Sequence, residues 1–283
     1  MFNRVIAWIA CAAQTVLIWI GLPVNHWGQN LDLESRFTLT WADELDGGSL
    51  NREHWGGHWY DVGPWKRGAG YWYIEMPQVY GGALHIPTVY SEEGIAGGPP
   101  DSYYSAGIDT RGRFEQKFGY FETRCMFPKG EGLWSAFWLF NDLVGQEEGS
   151  GRDGTEVDIY ESPYFTWKRK RDRDRVSCNL HYDGYGEAHR SSNVGNFRVK
   201  DPYDSFHTYG LEWNENEYIF YIDGRETGRS SFGGVCQEPL WLILSVEHSR
   251  EGWAGDIYNS ANEDFTDFVV DYVRVYLYNE LLG

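Results

Sequence analysis

The apolar pattern of this chain is short-range. From Phe37 onward, brief runs rich in Val, Ile, Leu, Tyr, Phe and Trp are broken by Gly, Asn, Asp and Pro. Strand-like runs fall at 119–128, 133–140, 156–161, 176–182, 208–213, 218–223, 240–246 and 268–278. Their residue types and lengths suit strands, and no long segment carries a convincing 3.6-residue period. Asp223-Gly224, between two such runs, is a strong hairpin signal. Many short strands joined by turns predict an all-β sandwich. No internal repeat is visible.

The first residues do not belong to this pattern. Residues 5–24 are apolar, interrupted by Gln14 and preceded by Arg4. The stretch reads as a signal peptide or a single membrane anchor, and a start codon upstream of the true one is a third option. It is long for a signal, and no Ala-x-Ala site follows. The expected organisation is residues 1–24 as signal or anchor, 25–36 as a polar linker, and 37–283 as one domain. All-β sandwiches of that length can form single domains. The location implied is secreted, or extracellular and membrane-anchored, and a monomer is expected.

Composition narrows the partners. The 283-residue chain carries a formal net charge of −18, which argues against nucleic acid. Aromatic residues make up 17%, with 14 Trp and 20 Tyr. That exceeds what strand propensity alone suggests, so some rings are expected in an open groove, where flat faces stack on sugars. The four cysteines, Cys11, Cys125, Cys178 and Cys236, match no zinc spacing. Cys125 and Cys178 lie in strand-like runs and are expected as buried free thiols. The run 168–175, Lys-Arg-Lys-Arg-Asp-Arg-Asp-Arg, reads first as a solvated loop. Its competing reading is a basic rim for a sulfated or uronic-acid substrate.

The chemistry concentrates in residues 154–161, Gly-Thr-Glu-Val-Asp-Ile-Tyr-Glu. Side chains on a strand alternate between faces, so Glu156 and Asp158 share a face while Glu161 points away. A one-residue bulge near Ile159 and Tyr160 returns Glu161 to that face. The two glutamates then lie about 13 Å apart at their α-carbons, at about 3.3 Å per step. Side chains leaning together close that gap to about 5–5.5 Å, the separation of a retaining glycosidase. The alternative is three solvated carboxylates on an exposed face. Like charges on one face repel, and a neutral fold has no reason to set them beside Val157 and Ile159.

These residues resemble a known family. Glu156-Val-Asp-Ile-Tyr-Glu161 is similar to the bulged, laminarinase-like catalytic signature of glycoside hydrolase family 16. The segment from Tyr120 to Trp138 resembles the strand–turn–strand leading to its active site. Trp41-Ala-Asp-Glu-Leu-Asp-Gly47 resembles its first strand, and Val270-Asp-Tyr-Val-Arg-Val-Tyr276 its closing strand. The resemblance implies a β-jelly roll of two curved antiparallel sheets. It also implies endo-acting, retaining hydrolysis of a β-linked polysaccharide, with no cofactor in catalysis. By matched position, Glu156 is the nucleophile, Glu161 the general acid/base, and Asp158 the electrostatic assistant of the nucleophile. Trp134 and Trp138 match aromatic residues of the donor subsites. His181 matches a histidine beside the catalytic carboxylates, its alternative being a hydrogen-bonded structural role.

The substrate expected first is β-1,3- or β-1,3-1,4-glucan. Agar-type or sulfated galactan and host O-glycan are the alternatives. A non-catalytic carbohydrate-binding protein, a transglycosylase and a structural surface protein are rival classes. All three carboxylates are kept, which counts against a binding protein. Departures from the family pattern lie in the loop 163–175, at Cys125 and in 71–77. The resemblance further suggests a structural Ca2+ held by Glu44, Asp271 and a carbonyl of Gly82, because the first and last strands meet. Asp271 interrupts an apolar run and needs a partner.

Overall fold

A computed structural model describes residues 29–57, 63–164, 174–259 and 265–282. The apolar segment 5–24 and most of the basic run 168–175 lie outside the described residues. The described strands form a β-jelly-roll sandwich. One sheet of eight strands runs, edge to edge, Arg225–Ser230, Tyr218–Ile222, His207–Trp213, Gly119–Met126, Phe268–Tyr278, Ala83–Ile86 and Gln78–Tyr80. Phe37–Asp43 pairs with Phe268–Tyr278 beside this path. The facing sheet of six runs Arg190–Arg198, Arg175–Tyr182, Glu156–Pro163, Leu133–Phe140, Trp241–His248 and Gly107–Asp109. A third, four-stranded sheet holds Trp65–Arg67, Gly70–Trp72, Ser102–Ser105 and Val89–Ser91. The resemblance had implied only the first two.

All eight strand-like runs are strands, within two residues at each end. Asp223 and Gly224 both take positive φ, +49° and +69°, as the hairpin turn demands. Sequence pattern missed Arg190–Arg198, whose polar residues alternate weakly between half-buried and exposed positions at a sheet edge. An edge strand needs little apolar content, because one side and part of a face stay wet.

The sandwich closes on aromatic rings. Tyr160 reaches across from the six-stranded sheet, its ring 4.9 Å from Phe127 and 4.6 Å from Tyr209. Its hydroxyl lies 3.3 Å from the Cys125 sulfur. Cys125, Cys178 and Cys236 are buried free thiols, as expected for the first two. The Trp72 indole donates to the Val246 carbonyl at 2.8 Å, tying the small sheet to the larger one. Gly107 is needed beneath it: a β-carbon there would sit 2.8 Å from the Trp72 ring.

The aromatic excess is therefore mostly structural. A second cluster, Phe37, Tyr120, Ile219, Tyr221 and Tyr278, covers the outer face of the eight-stranded sheet. It buries Glu122 and Glu212, and their carboxylates accept from Tyr120 and Tyr272, and from Tyr221 and Tyr278. Buried acceptors need such donors. Leu31 and Leu33 pack on this cluster, Arg36 pairs with Glu212, and Leu31 donates to Gly224 O. Residues 29–36, expected as part of a linker, are thus a packed strap that includes the short helix Leu33–Arg36.

Candidate active site

The bulge sits where the carboxylate spacing required it. Against the Leu133–Phe140 strand, Phe137 pairs with Tyr160 and Trp138 with Asp158, so Ile159 has no opposite number. On the other side, Asp158 pairs with Asn179 and Glu161 with Ser177, again skipping one step. Directly paired residues share a face. Glu156, Asp158 and Glu161 therefore lie on the open face with His181, Asn179 and Trp138, while Val157 and Tyr160 point into the core.

Asp158 is buried, and Glu156 and Glu161 are half-buried. Ligand atoms of Glu156, Asp158 and His181 all lie within 4.8 Å of one another. His181 Nε2 is 3.3 Å from Asp158 Oδ2, and His181 Nδ1 is 3.0 Å from Nε2 of His189. Asn179 Nδ2 donates to Glu161 Oε2 at 2.7 Å. The Tyr185 hydroxyl donates to Glu156 Oε2. Arg67 donates through Nε to both oxygens of the buried Glu247, at 3.0 and 2.8 Å, and its guanidinium stacks 4.9 Å over Trp72.

These surroundings separate the carboxylates. Burial pushes all three above the ordinary carboxylate range. Glu161 is pushed well up, with Asp158 and Glu156 adding to burial and only Asn179 and His181 opposing. Asp158 is pushed well up by burial, Glu156 and Glu247. Glu156 rises less steeply because His181, the Tyr185 hydroxyl and Arg67 all favour its charged form. A pair pushed apart in this way supplies one ionised and one protonated carboxyl at the same pH.

The two tryptophans occupy different places. Trp138 is 6% exposed, and its indole donates to Ser245 Oγ at 3.2 Å. With Trp65, Arg67, Phe140, Glu156 and Tyr185 it lines a pocket of about 520 Å³. Trp134 is half-buried, its ring 5.9 Å from Trp253. It lines a separate pocket with Lys66, His248, Arg250 and Tyr258. Trp138→Ala is expected to lower the stability by about 3–5 kcal/mol, as for a buried Trp. Trp134→Ala is expected to weaken oligosaccharide binding with a smaller drop in melting temperature. Melting curves and titration calorimetry on the two variants check this contrast.

The carboxylates suggested as calcium ligands are paired with arginine. The Glu44 carboxylate is held by the Arg274 guanidinium, at 2.9 and 2.7 Å. Arg274 holds it below the ordinary range. Asp271 pairs with Arg124 at 2.6 Å, so arginine is the partner its position demanded. Gly82 is an exposed turn residue at φ +80°. Two guanidiniums already neutralise the carboxylates expected to bind Ca2+. Among the described residues, the acidic and histidine side chains that crowd together are instead Glu156, Asp158 and His181.

Sequence reasoning missed Tyr185, His189, Arg67, Glu247 and Asn179. A faint signal existed for two of them. Ser245 and Glu247 alternate with apolar residues along Leu-Ile-Leu-Ser-Val-Glu, and Asn179 alternates with Cys178 and Leu180. Tyr185 and His189 sit in a loop, where no period points anywhere.

A model of the glycosyl hydrolases family 16 matches residues 81–274, most of the domain, including the bulged strand and its neighbours on both sides. The chain belongs to glycosyl hydrolase family 16. It is 28% identical over 268 residues to a β-glucanase of Rhodothermus marinus, covering 88% of each chain. It is 26% identical over 267 residues to a glucan endo-1,3-β-glucosidase A1 of Niallia circulans, and spans 37% of that longer protein. Among solved structures, it resembles the catalytic domain of an endo-1,3-β-glucanase (laminarinase) from Thermotoga petrophila RKU-1. The TM-score there is 0.67 at 27% identity, over 86% of this chain and 98% of that one. The family 16 chain is thus a glycoside hydrolase that acts with retention and without a cofactor in catalysis.

Proposed function

We propose that this enzyme is an endo-acting hydrolase of β-1,3- or mixed β-1,3-1,4-linked glucan. The observation that carries the reading is the bulged strand, which puts Glu156, Asp158 and Glu161 on one open face beside a ring-lined pocket. The names of the relatives support the glucan. Glu156, whose neighbours favour its charge, attacks the anomeric carbon as nucleophile. Glu161, whose burial and acidic neighbours favour its proton, protonates the leaving oxygen and then serves as base toward water. Asp158, close to Glu156 and facing His181, tunes the nucleophile and steadies the glycosyl-enzyme.

We further place the enzyme outside the cytoplasm, secreted or anchored, as a monomer. The apolar segment 5–24 and a polymeric substrate support the location outside the cytoplasm. Release of reducing ends from laminarin, lichenan, agarose, porphyran and mucin tests the substrate. Laminarin and lichenan are expected to be cut to short oligosaccharides early in the reaction. Turnover confined to agarose, porphyran or mucin would sink the glucan assignment.

A further inference from the structure

One loop reaches the catalytic carboxylates from outside their strand. It joins strands Arg175–Tyr182 and Arg190–Arg198, and it begins with Asp183 and Gly184, both at positive φ (+59° and +68°). That backbone suits the glycine and is tolerated by Asp. The stem is pinned. Gly184 N donates to Val144 O at 2.6 Å, and the buried Asp183 carboxylate accepts from Gly149 N at 3.2 Å. From this fixed stem the loop sends two side chains back to the site.

The first is Tyr185, 62% exposed, unusually open for a large ring. Its hydroxyl is spent on Glu156 Oε2. Among the described residues no hydrogen bond reaches Glu156 Oε1. The second is His189. Its ring lies parallel to that of His181, at 3° and 5.2 Å, and the two share the 3.0 Å contact from Nε2 to Nδ1. His189 Nε2 meets His181 Nδ1 and fixes the turn of the ring, so that His181 Nε2 lies 3.3 Å from Asp158 Oδ2. Burial, His181 and Arg190 all lower the proton affinity of His189.

We propose that Tyr185 and His189 are positioning residues for the nucleophile: Tyr185 holds Oε2 of Glu156 and leaves Oε1 to attack, and His189 holds the His181 ring with its Nε2 facing Asp158. The proposal rests on the reading of Glu156 as nucleophile. A carboxylate with one oxygen anchored attacks from one orientation, and the anchor is a neutral donor that keeps its proton. Desolvation of the Tyr185 phenol where it meets the site, and the Glu156 charge, push it far above its ordinary range although the ring itself is open. The other groups facing Glu156 are Asp158 and Glu161 on its own strand, His181 on the next, Glu247 on Trp241–His248, and Arg67 on Trp65–Arg67.

The test uses the full chain and an activated 2-deoxy-2-fluoro β-1,3-linked glucosyl disaccharide with a dinitrophenolate leaving group. Glu156 Oε1 forms the bond to the anomeric carbon, and the dinitrophenolate leaves with the bonding electron pair. No proton from Glu161 is needed, so the trapping rate reads nucleophilic attack alone. Tyr185→Phe keeps the ring and removes the donor. Trapping is expected to slow by about 10- to 100-fold, the scale of one hydrogen bond to a charged group. On laminarin oligosaccharides, kcat is expected to fall with KM nearly unchanged. The acid limb of the pH profile is expected to move to higher pH, because a bond that favours the Glu156 charge is gone.

Trapping at the wild-type rate in Tyr185→Phe, with an unmoved acid limb, overturns the role of Tyr185. A loss confined to Tyr185→Ala and expressed in KM makes Tyr185 a stacking platform and also overturns it. His189→Ala is expected to lower kcat and shift the acid limb; wild-type values for both remove His189. Peptide mapping of the labelled wild type keeps the two levels apart. A label on another carboxylate overturns the nucleophile assignment itself, whereas a label on Glu156 leaves it standing whatever Tyr185→Phe shows.

Discussion

Glu156→Gln is expected to abolish turnover of β-glucan, lowering kcat by about 10⁴- to 10⁶-fold, the scale seen when a covalent nucleophile is removed. The amide keeps the shape of the carboxylate and its acceptor oxygen, so the Tyr185 hydroxyl still has a partner. What is lost is the charge that attacks the anomeric carbon. Without it no glycosyl-enzyme forms, and the reaction can no longer be split into two easier displacements. The fold is expected to survive, because the bulge is set by backbone pairing and by Val157 and Tyr160 in the core, not by the Glu156 charge. The variant should bind laminarin oligosaccharides without cutting them. Rapid-quench assays with circular dichroism check both halves. Near-normal turnover in a folded variant would falsify the assignment.

Glu161→Gln is expected to fall by about 10²- to 10⁴-fold on polysaccharide, the range of general acid–base catalysis. The first half-reaction is expected to be largely spared for aryl glycosides, whose leaving groups need no proton. The alkaline limb of the profile, which reports loss of the Glu161 proton, should disappear. Stability should move the other way. Burial first, then Asp158 and Glu156, raises the folded pKa of Glu161 well above its unfolded value. Such a group contributes stability that is present below the unfolded value, about 4.3, and is lost as pH rises through the folded one. Glutamine has no proton to lose. The variant should therefore gain stability over wild type as pH rises from about 4 into the neutral range, with no such gain at or below pH 4. Parallel melts at acidic and neutral pH read the effect directly. An equal difference in melting temperature at both pH values would mean that Glu161 carries no buried-charge penalty.

The same penalty made the site legible in the sequence. Three acids on one half-buried strand face weaken a fold, so their presence points to chemistry. The strand period and the need to reunite Glu161 with Glu156 predicted a bulge near Ile159, and the pairing skips that residue. Long apolar strands were legible for the same local reason: burial of one face leaves a period of two in the sequence. The packed strap 29–36 was not. Its short run reads as polar, and only the cluster around Phe37 and Tyr278 shows what Leu31 and Leu33 cover.

The calcium ligands met the same limit. Sequence showed that Asp271 needed a partner but could not say which, because Arg124 is 147 residues away and meets it only through the pairing of their strands. Tyr185, His189 and Arg67 escaped notice likewise, since they reach the site from a loop and a sheet other than the catalytic strand. The sequence by itself determined the all-β class, the main strands and the carboxylates proposed to do the chemistry, because those are written in local periodicity and local charge. Only the tertiary structure decided which residues hold those carboxylates, how their proton affinities separate and which acids are spoken for by arginine, because these depend on distances between segments far apart in the chain.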